Sequence, residues 1–268
     1  MIKNVFLLIC FCAITATMNA QNKVAELHYK TVIIKTNKES TGAEIGYGKE
    51  FIKIQTRPIH SRNPLRFIDK KNDVMIMAFN SPSHGYIIEE LDTVYRVNAK
   101  LETTGEKEKI NGYNCEKFRL VEIPSNNKCK SSFFFEYYIW ITNDLQVDPI
   151  YNLYVSHAVF SVSTFTYSGV IVKAQPTASY GPKYDCYTIL DSVATKPELE
   201  TDFERPWVKY PDAVCVLPES DNMDSHARSA LPTCQDILAY RIRIRALSQK
   251  ITGIEKPKYN HGYQMIAF

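Results

Sequence analysis

The chain has 268 residues, 32 lysines and arginines against 29 aspartates and glutamates, and a formal net charge of +3. Its densest cationic stretch is only Arg241, Arg243 and Arg245, which speaks against nucleic acid as a partner, since such binders concentrate basic charge on one face. With 45% hydrophobic residues, 17 tyrosines and 13 phenylalanines, the composition is that of a folded chain rich in strands with aromatic cross-strand pairs, not of a disordered one.

Residues 1–20 read as a signal peptide: Lys3 is the lone charge, Val5 to Thr15 is apolar, and Met18-Asn-Ala20 precedes the expected cut before Gln21. The run is shorter than the roughly 20 apolar residues a membrane span needs, and no comparable stretch follows. Neither Cys10 nor Cys12 follows a small residue, as a lipid-anchored cysteine would. The expectation is therefore a soluble, exported protein, periplasmic or associated with the cell surface, and not an integral membrane protein.

Strand patterns begin soon after. His28 to Thr36 is rich in β-branched residues and ends at the turn former Asn37. Glu50 to Thr56 follows a turn read at Gly46-Tyr-Gly48, and the two segments are expected to pair. Asp73 to Phe79 is a further strand, and Tyr86 to Val97 holds one long strand or two short ones. Glu106 to Lys109 reads as a solvated turn margin leading into Asn111-Gly112, a dipeptide that favours a tight turn. Ile110 to Leu120 and Phe133 to Thr142 then read as neighbouring antiparallel strands. In the second, Phe133, Phe135, Tyr137, Ile139 and Ile141 share an apolar face, while Tyr138 and Trp140 share the other with Glu136 and Thr142. Val170 to Lys173 and Tyr184 to Val193 are the last strands, and prolines 206, 211 and 218 mark a boundary placed at residue 210.

Helical periodicity is nearly absent before residue 230. Beyond it, Thr233 and Asp236 form a capping-box-like start, Ile237, Tyr240, Ile244, Leu247 and Ile251 fall on one face, and Gly253 and Pro257 close the helix. Docking on the sheet is favoured over lying on a membrane, with a strand over Tyr240 to Ile244 as a minority reading.

Cleavage after Ala20 leaves Cys115, Cys129, Cys186, Cys215 and Cys234, an odd count that leaves a thiol free or pairs it between chains. Cys215 and Cys234 flank a polar loop at ordinary disulfide spacing and are the candidate bridge. His28, His60, His84, His157, His226 and His261 nowhere show short zinc-site spacing. Ser83-His84 and Ser156-His157 lack a nucleophile elbow, and there is no phosphate loop. No catalytic residue, metal ligand or cofactor is therefore expected, although a metal or cysteine site assembled from distant segments stays open.

Four motifs in order carry a resemblance: Ile110-x-Gly112-Tyr113-x-Cys115-x-Lys117, Ile139-Trp140-Ile-Thr-Asn-Asp144, Gly169-Val-Ile-Val-Lys173, and Leu199 to Phe203 with Pro206. Together they resemble uncharacterised exported proteins common in Bacteroidetes, which look similar to the lipoprotein carriers LolA and LolB. The resemblance covers about residues 23 to 210. It implies a mainly β (α+β) fold, in which a curved antiparallel sheet forms an open half-barrel. The domain limits follow as 21–210 for the sheet and 211–268 for an extension whose helix packs on it. The Gly-Leu-Pro-Gly-Leu-Ile motif of one branch is absent, as is the long helix that precedes the sheet in lipoprotein carriers. The resemblance brings no catalytic residues. The expected role is a non-enzymatic cell-envelope protein that binds a lipid or acyl ligand on the concave face, with Tyr138 and Trp140 as lining. The alternatives are core packing of those two residues beneath the tail helix, and an assembly protein with an envelope partner and no small-molecule ligand.

Overall fold

A computed structural model describes residues 22–23, 25–56, 65–78, 85–91, 97, 99–123, 136–160, 164–177, 185–195, 215–216, 234–254 and 259–260. The signal-peptide segment, Phe133 to Phe135, Cys129, Leu199 to Pro206, Thr233 and Pro257 lie outside them, as do His60, His84, His226 and His261.

Fifteen strands are described: β1 (Asn22–Lys23), β2 (Glu26–Ile33), β3 (Lys38–Tyr47), β4 (Phe51–Thr56), β5 (Leu65–Asp69), β6 (Val74–Ala78), β7 (Tyr86–Glu90), β8 (Ala99–Ile110), β9 (Tyr113–Glu122), β10 (Tyr137–Thr142), β11 (Leu145–Gln146), β12 (Val170–Pro176), β13 (Cys186–Ala194), β14 (Cys215–Val216) and β15 (Tyr259–Asn260). Two helices accompany them, α1 (Asn152–Phe160) and α2 (Cys234–Thr252). One sheet runs β15-β14-β7-β6-β5-β4-β3-β2-β13-β12-β10-β9-β8 and stays open, with β15 and β8 as its ends. From β7 to β8 every neighbour is antiparallel. The short β14 joins β7 in parallel, and β15 joins β14.

Turn chemistry sets this order. Asn37 at φ 54°, Asp73 at φ 52°, and Asn111 at φ 48° with Gly112 at φ 92° adopt the left-handed conformations that tight turns require. Between β5 and β6, the Asp69 carboxylate accepts bonds from the Lys71 and Asn72 backbone amides at 3.0 and 3.1 Å and from Asn72 Nδ2 at 2.8 Å, so its burial is compensated.

The expected strands return as β2, β4, β6, β7, β9, β10, β12 and β13, and the expected pairing of β9 with β10 is present. β2 and β4, expected as neighbours, are instead separated by β3, which pairs with both. Residues Gly46 and Tyr47 belong to that strand, and Gly48 closes the turn by donating its amide to the Phe51 carbonyl at 2.9 Å. β3 is disguised by a bulge at Gly42, where a Cβ would stand 3.0 Å from the Tyr29 carbonyl oxygen, and by an exposed polar start.

Glu106 to Lys109, read as a turn margin, lies inside the twelve-residue edge strand β8. The helix α1 is a second departure. Its residues Asn152, Tyr154, Val155, Ser156, Ala158 and Phe160 are all buried, so the segment is apolar nearly all round and offers no helical stripe.

Alternation along the strands sorts the core. Ile139, Ile141, Ile171, Val172, Ala174 and Leu190 are buried, and across β2 they meet Tyr29, whose ring stands edge-on to Phe160 of α1 at 5.4 Å. The Tyr29 hydroxyl donates to the Ile171 carbonyl at 2.8 Å. At the other end α2 docks against β7 as expected: Tyr240 and Ile244 are buried, and the Glu90 amide donates to the Tyr240 hydroxyl at 3.1 Å. Arg243 pairs with Glu90 at 3.2 Å, and Gly253 at φ 68° caps the helix through its amide to Gln249.

Burial pushes the phenols of Tyr29, Tyr47, Tyr167 and Tyr240 above the ordinary tyrosine range. A group whose folded pKa is raised contributes stability below its unfolded value, about 10 for tyrosine, and loses it as pH climbs toward the folded value. Alkali should therefore unfold the protein cooperatively. Tyrosinate absorbance is expected in two stages, exposed rings first and the buried rings only together with loss of circular dichroism. A single smooth titration of all 17 tyrosines near the ordinary value, with the fold intact, would contradict this packing.

Candidate functional site

Tyr138 and Trp140 lie on β10 between β9 and β12. Register places Tyr138 opposite Arg119 and Gln175, and Trp140 opposite Lys117 and Lys173. Directly opposed residues of an antiparallel ladder share a face, so these six side chains stand together. Ile139 and Ile141 point to the other side, the one packed against α1 through Tyr29 and Phe160. On β13, Ile189 opposes Lys173, which puts Tyr187, two residues earlier, on the same outer face.

Trp140 is only 6% exposed, although no described helix contact covers it. The two lysines are its cover. Lys117 Nζ lies 4.5 Å from the Tyr138 ring centre and 5.5 Å from that of Trp140. Lys173 Nζ lies 4.5 Å from the Trp140 ring and 4.8 Å from the Tyr187 ring. Tyr138 meets Trp140 edge-on with centres 6.3 Å apart. Each ammonium draws on the ring quadrupole while its aliphatic stem shields the indole from water.

The cations differ in their partners. Three residues of β8, 104 to 106, oppose Lys117 alone, and this bulge brings Glu106 Oε2 within 2.8 Å of Lys117 Nζ. The Thr104 hydroxyl donates to the Lys117 carbonyl at 2.9 Å and fixes the bulge. Arg119 is paired with Glu136 at 2.8 Å. Lys173 has no carboxylate partner among the described residues; its contacts there are the two rings. Trp140 Nε1 is buried and has no acceptor among the described residues.

Trp140 belongs to the hydrophobic core, and no contact between it and α2 is described. The contacts of α2 fall at β7, and seven strands lie between β7 and β10 in the sheet. Register, not the tail, provides the neighbours of Trp140. Lys117 and Lys173 already stood in the sequence motifs, but their convergence on one indole becomes visible only when β9 and β12 are known to flank β10.

The other candidate chemistry is dispersed. Cys115, Cys186 and Cys215 are free thiols. Burial pushes Cys115 and Cys215 up to about 11, and it raises Cys186 too, so all three stay protonated and weakly nucleophilic at neutral pH. Cys215 sits beside the Ser248 and Tyr86 hydroxyls. The side chain of Cys234 lies outside the described residues, so the bridge expected between Cys215 and Cys234 is not part of the described fold. His28 Nε2 lies 3.5 Å from Glu26 Oε2, whereas His157 is on α1. No group of three or more His, Cys, Asp or Glu residues among those described is placed to hold a metal ion. A groove of about 430 Å³ beside β2 and β3 includes His28, Glu39, Glu44 and Asp191, but Lys30 spans Glu39 at 3.0 Å and Asp191 at 3.2 Å. Among the described residues no helix is long and apolar enough to cross a membrane.

No protein-family model matches the chain, and no curated protein matches it either. Among solved structures, PNGF-II is similar at 15% identity and a TM-score of 0.40, over 66% of this chain and 29% of that one. A DUF1329 family protein from Desulfovibrio piger is similar at 10% identity and a TM-score of 0.28, over 73% of this chain and 93% of that one. This chain thus spans less than a third of the PNGF-II chain.

Proposed function

We propose that this chain is an exported, non-catalytic binding protein of the cell envelope, of the LolA-like kind its motifs resemble, and that its ligand lies across the Tyr138–Trp140 face. The observation that carries the reading is Trp140: a buried indole that has no hydrogen-bond acceptor among the described residues and is packed there against Tyr138 and the flexible side chains of Lys117 and Lys173. Leaving a buried donor unpaired costs about 1–3 kcal/mol, and a ligand that supplies an acceptor and an apolar surface removes that cost. A lipid or acyl molecule has both.

A second reading, an assembly protein with an envelope partner, draws support from Leu238 and Ile242, which are exposed one turn apart on α2 at 58% and 59%. Native mass spectrometry of protein purified from its own envelope separates the two. A co-purifying lipid or acyl species, lost on mutation of Trp140 to alanine, is the expected result. A stoichiometric protein partner with no small molecule would support the second reading and overturn the first.

A further inference from the structure

We infer that Lys173 is the anchor for an acidic head group, a carboxylate or a phosphate monoester, on the ligand of this face. The inference rests on the binding role proposed above and specifies the chemistry of the ligand.

The argument is one of unsatisfied donors. Of the three cations around Trp140 and Tyr138, Lys117 and Arg119 are neutralised by Glu106 and Glu136 at 2.8 Å each. Lys173 is the exception among the described residues: its ammonium is poised between the rings of Trp140 and Tyr187, at 4.5 and 4.8 Å. Ring faces attract the charge but do not accept its hydrogen bonds along oxygen lone pairs, so its full anion-binding capacity remains. A second donor belongs to the ring Lys173 covers, the Trp140 indole N–H, which is buried and without an acceptor among the described residues. An oxygen acid carries several acceptors within one group and can engage both donors once the lysine stem lifts from the ring. That movement also bares the indole face and the flanking Tyr138 and Tyr187 rings for an apolar portion attached to the acid. An uncharged ligand with an oxygen could take the indole N–H and the rings but would leave the Lys173 charge without a counter-ion, and a cationic one would meet Lys173 as a like charge.

The test uses a Trp207→Phe background, so that emission reports Trp140 of the two tryptophans. Dodecanoate, dodecyl phosphate and dodecanol are titrated below their aggregation concentrations. The two acids are expected to bind at least about tenfold more tightly than the alcohol, the scale of one charge-assisted hydrogen bond, and to weaken as salt is raised. Lys173→Met, which keeps the stem and removes the charge, should abolish that preference, while Lys250→Met, which removes an exposed cation on α2 outside this face, should retain it. Melting curves establish that each variant is folded. Equal affinity for all three probes, or a preference that survives in Lys173→Met, would overturn the anchor and leave the binding role standing. No response to any probe would overturn both.

Discussion

Replacing Gly169 with alanine is expected to remove about 4 kcal/mol or more of stability, an exceptional loss for one methyl group. Gly169 sits at φ +83°, a conformation that costs an L-residue about 1–2 kcal/mol by itself. A Cβ there would collide with the Thr142 carbonyl oxygen and stand 2.7 Å from Asn143 Oδ1. The obstacle is backbone at the end of β10, which cannot move without disturbing the ladder to β12. Asn152 at the start of α1 locks the same turn by donating to the Gly169 carbonyl at 3.1 Å and the Tyr167 carbonyl at 3.4 Å. Gly253→Ala is the control: it shares a positive φ of 68° but has nothing within 4 Å of the new carbon, so only the conformational cost of about 1–2 kcal/mol is expected. Urea denaturation of both variants checks the pair, and a Gly169→Ala loss no larger than the control would refute the turn.

Tyr29→Ala should cost about 3–5 kcal/mol, the range for emptying a large aromatic site, and Tyr29→Phe about 1–3 kcal/mol. The smaller change deletes only the hydroxyl that reaches the Ile171 carbonyl at 2.8 Å, leaving that buried acceptor unpaired. The larger change also removes the edge-on contact with Phe160 and so weakens the hold of α1 on the sheet. Urea midpoints and hydrogen exchange across α1 read both effects. A loss of protection confined to the neighbouring parts of β2 and β12 is expected in the phenylalanine variant, and one that extends into α1 only in the alanine variant. Equal stability of native and Phe forms would mean that the hydroxyl makes no such bond.

The sheet was legible wherever side chains alternated or a turn residue was diagnostic. Asn111-Gly112 and the Ile139, Ile141 face specified the β9–β10 pair, and Tyr240 with Ile244 specified the docked helix. Three kinds of element escaped. α1 has no exposed face and is apolar nearly all round, so its period was hidden. β3 combines a glycine bulge with a polar beginning, and β8 is an edge strand whose charged residues face solvent on both sides. The site was half legible: Tyr138 and Trp140 were identifiable by alternation within one strand, whereas Lys117, Lys173 and Tyr187 belong to strands whose neighbours are set by sheet order, a long-range property that no local pattern encodes.

The β8 bulge has a bearing on how this chain keeps apart from its own copies. An open sheet ends in unpaired backbone groups that another strand can dock onto, and a straight edge of twelve residues would template addition of a second molecule and then a third. Residues 104 to 106 break that edge in its middle, and Lys100, Glu102, Lys107, Glu108 and Lys109 set both signs of charge along it. An incoming regular strand could not follow the spacing of this edge across the bulge. The bulge that holds Glu106 against Lys117 thus also interrupts the edge that β8 presents at the end of the described sheet.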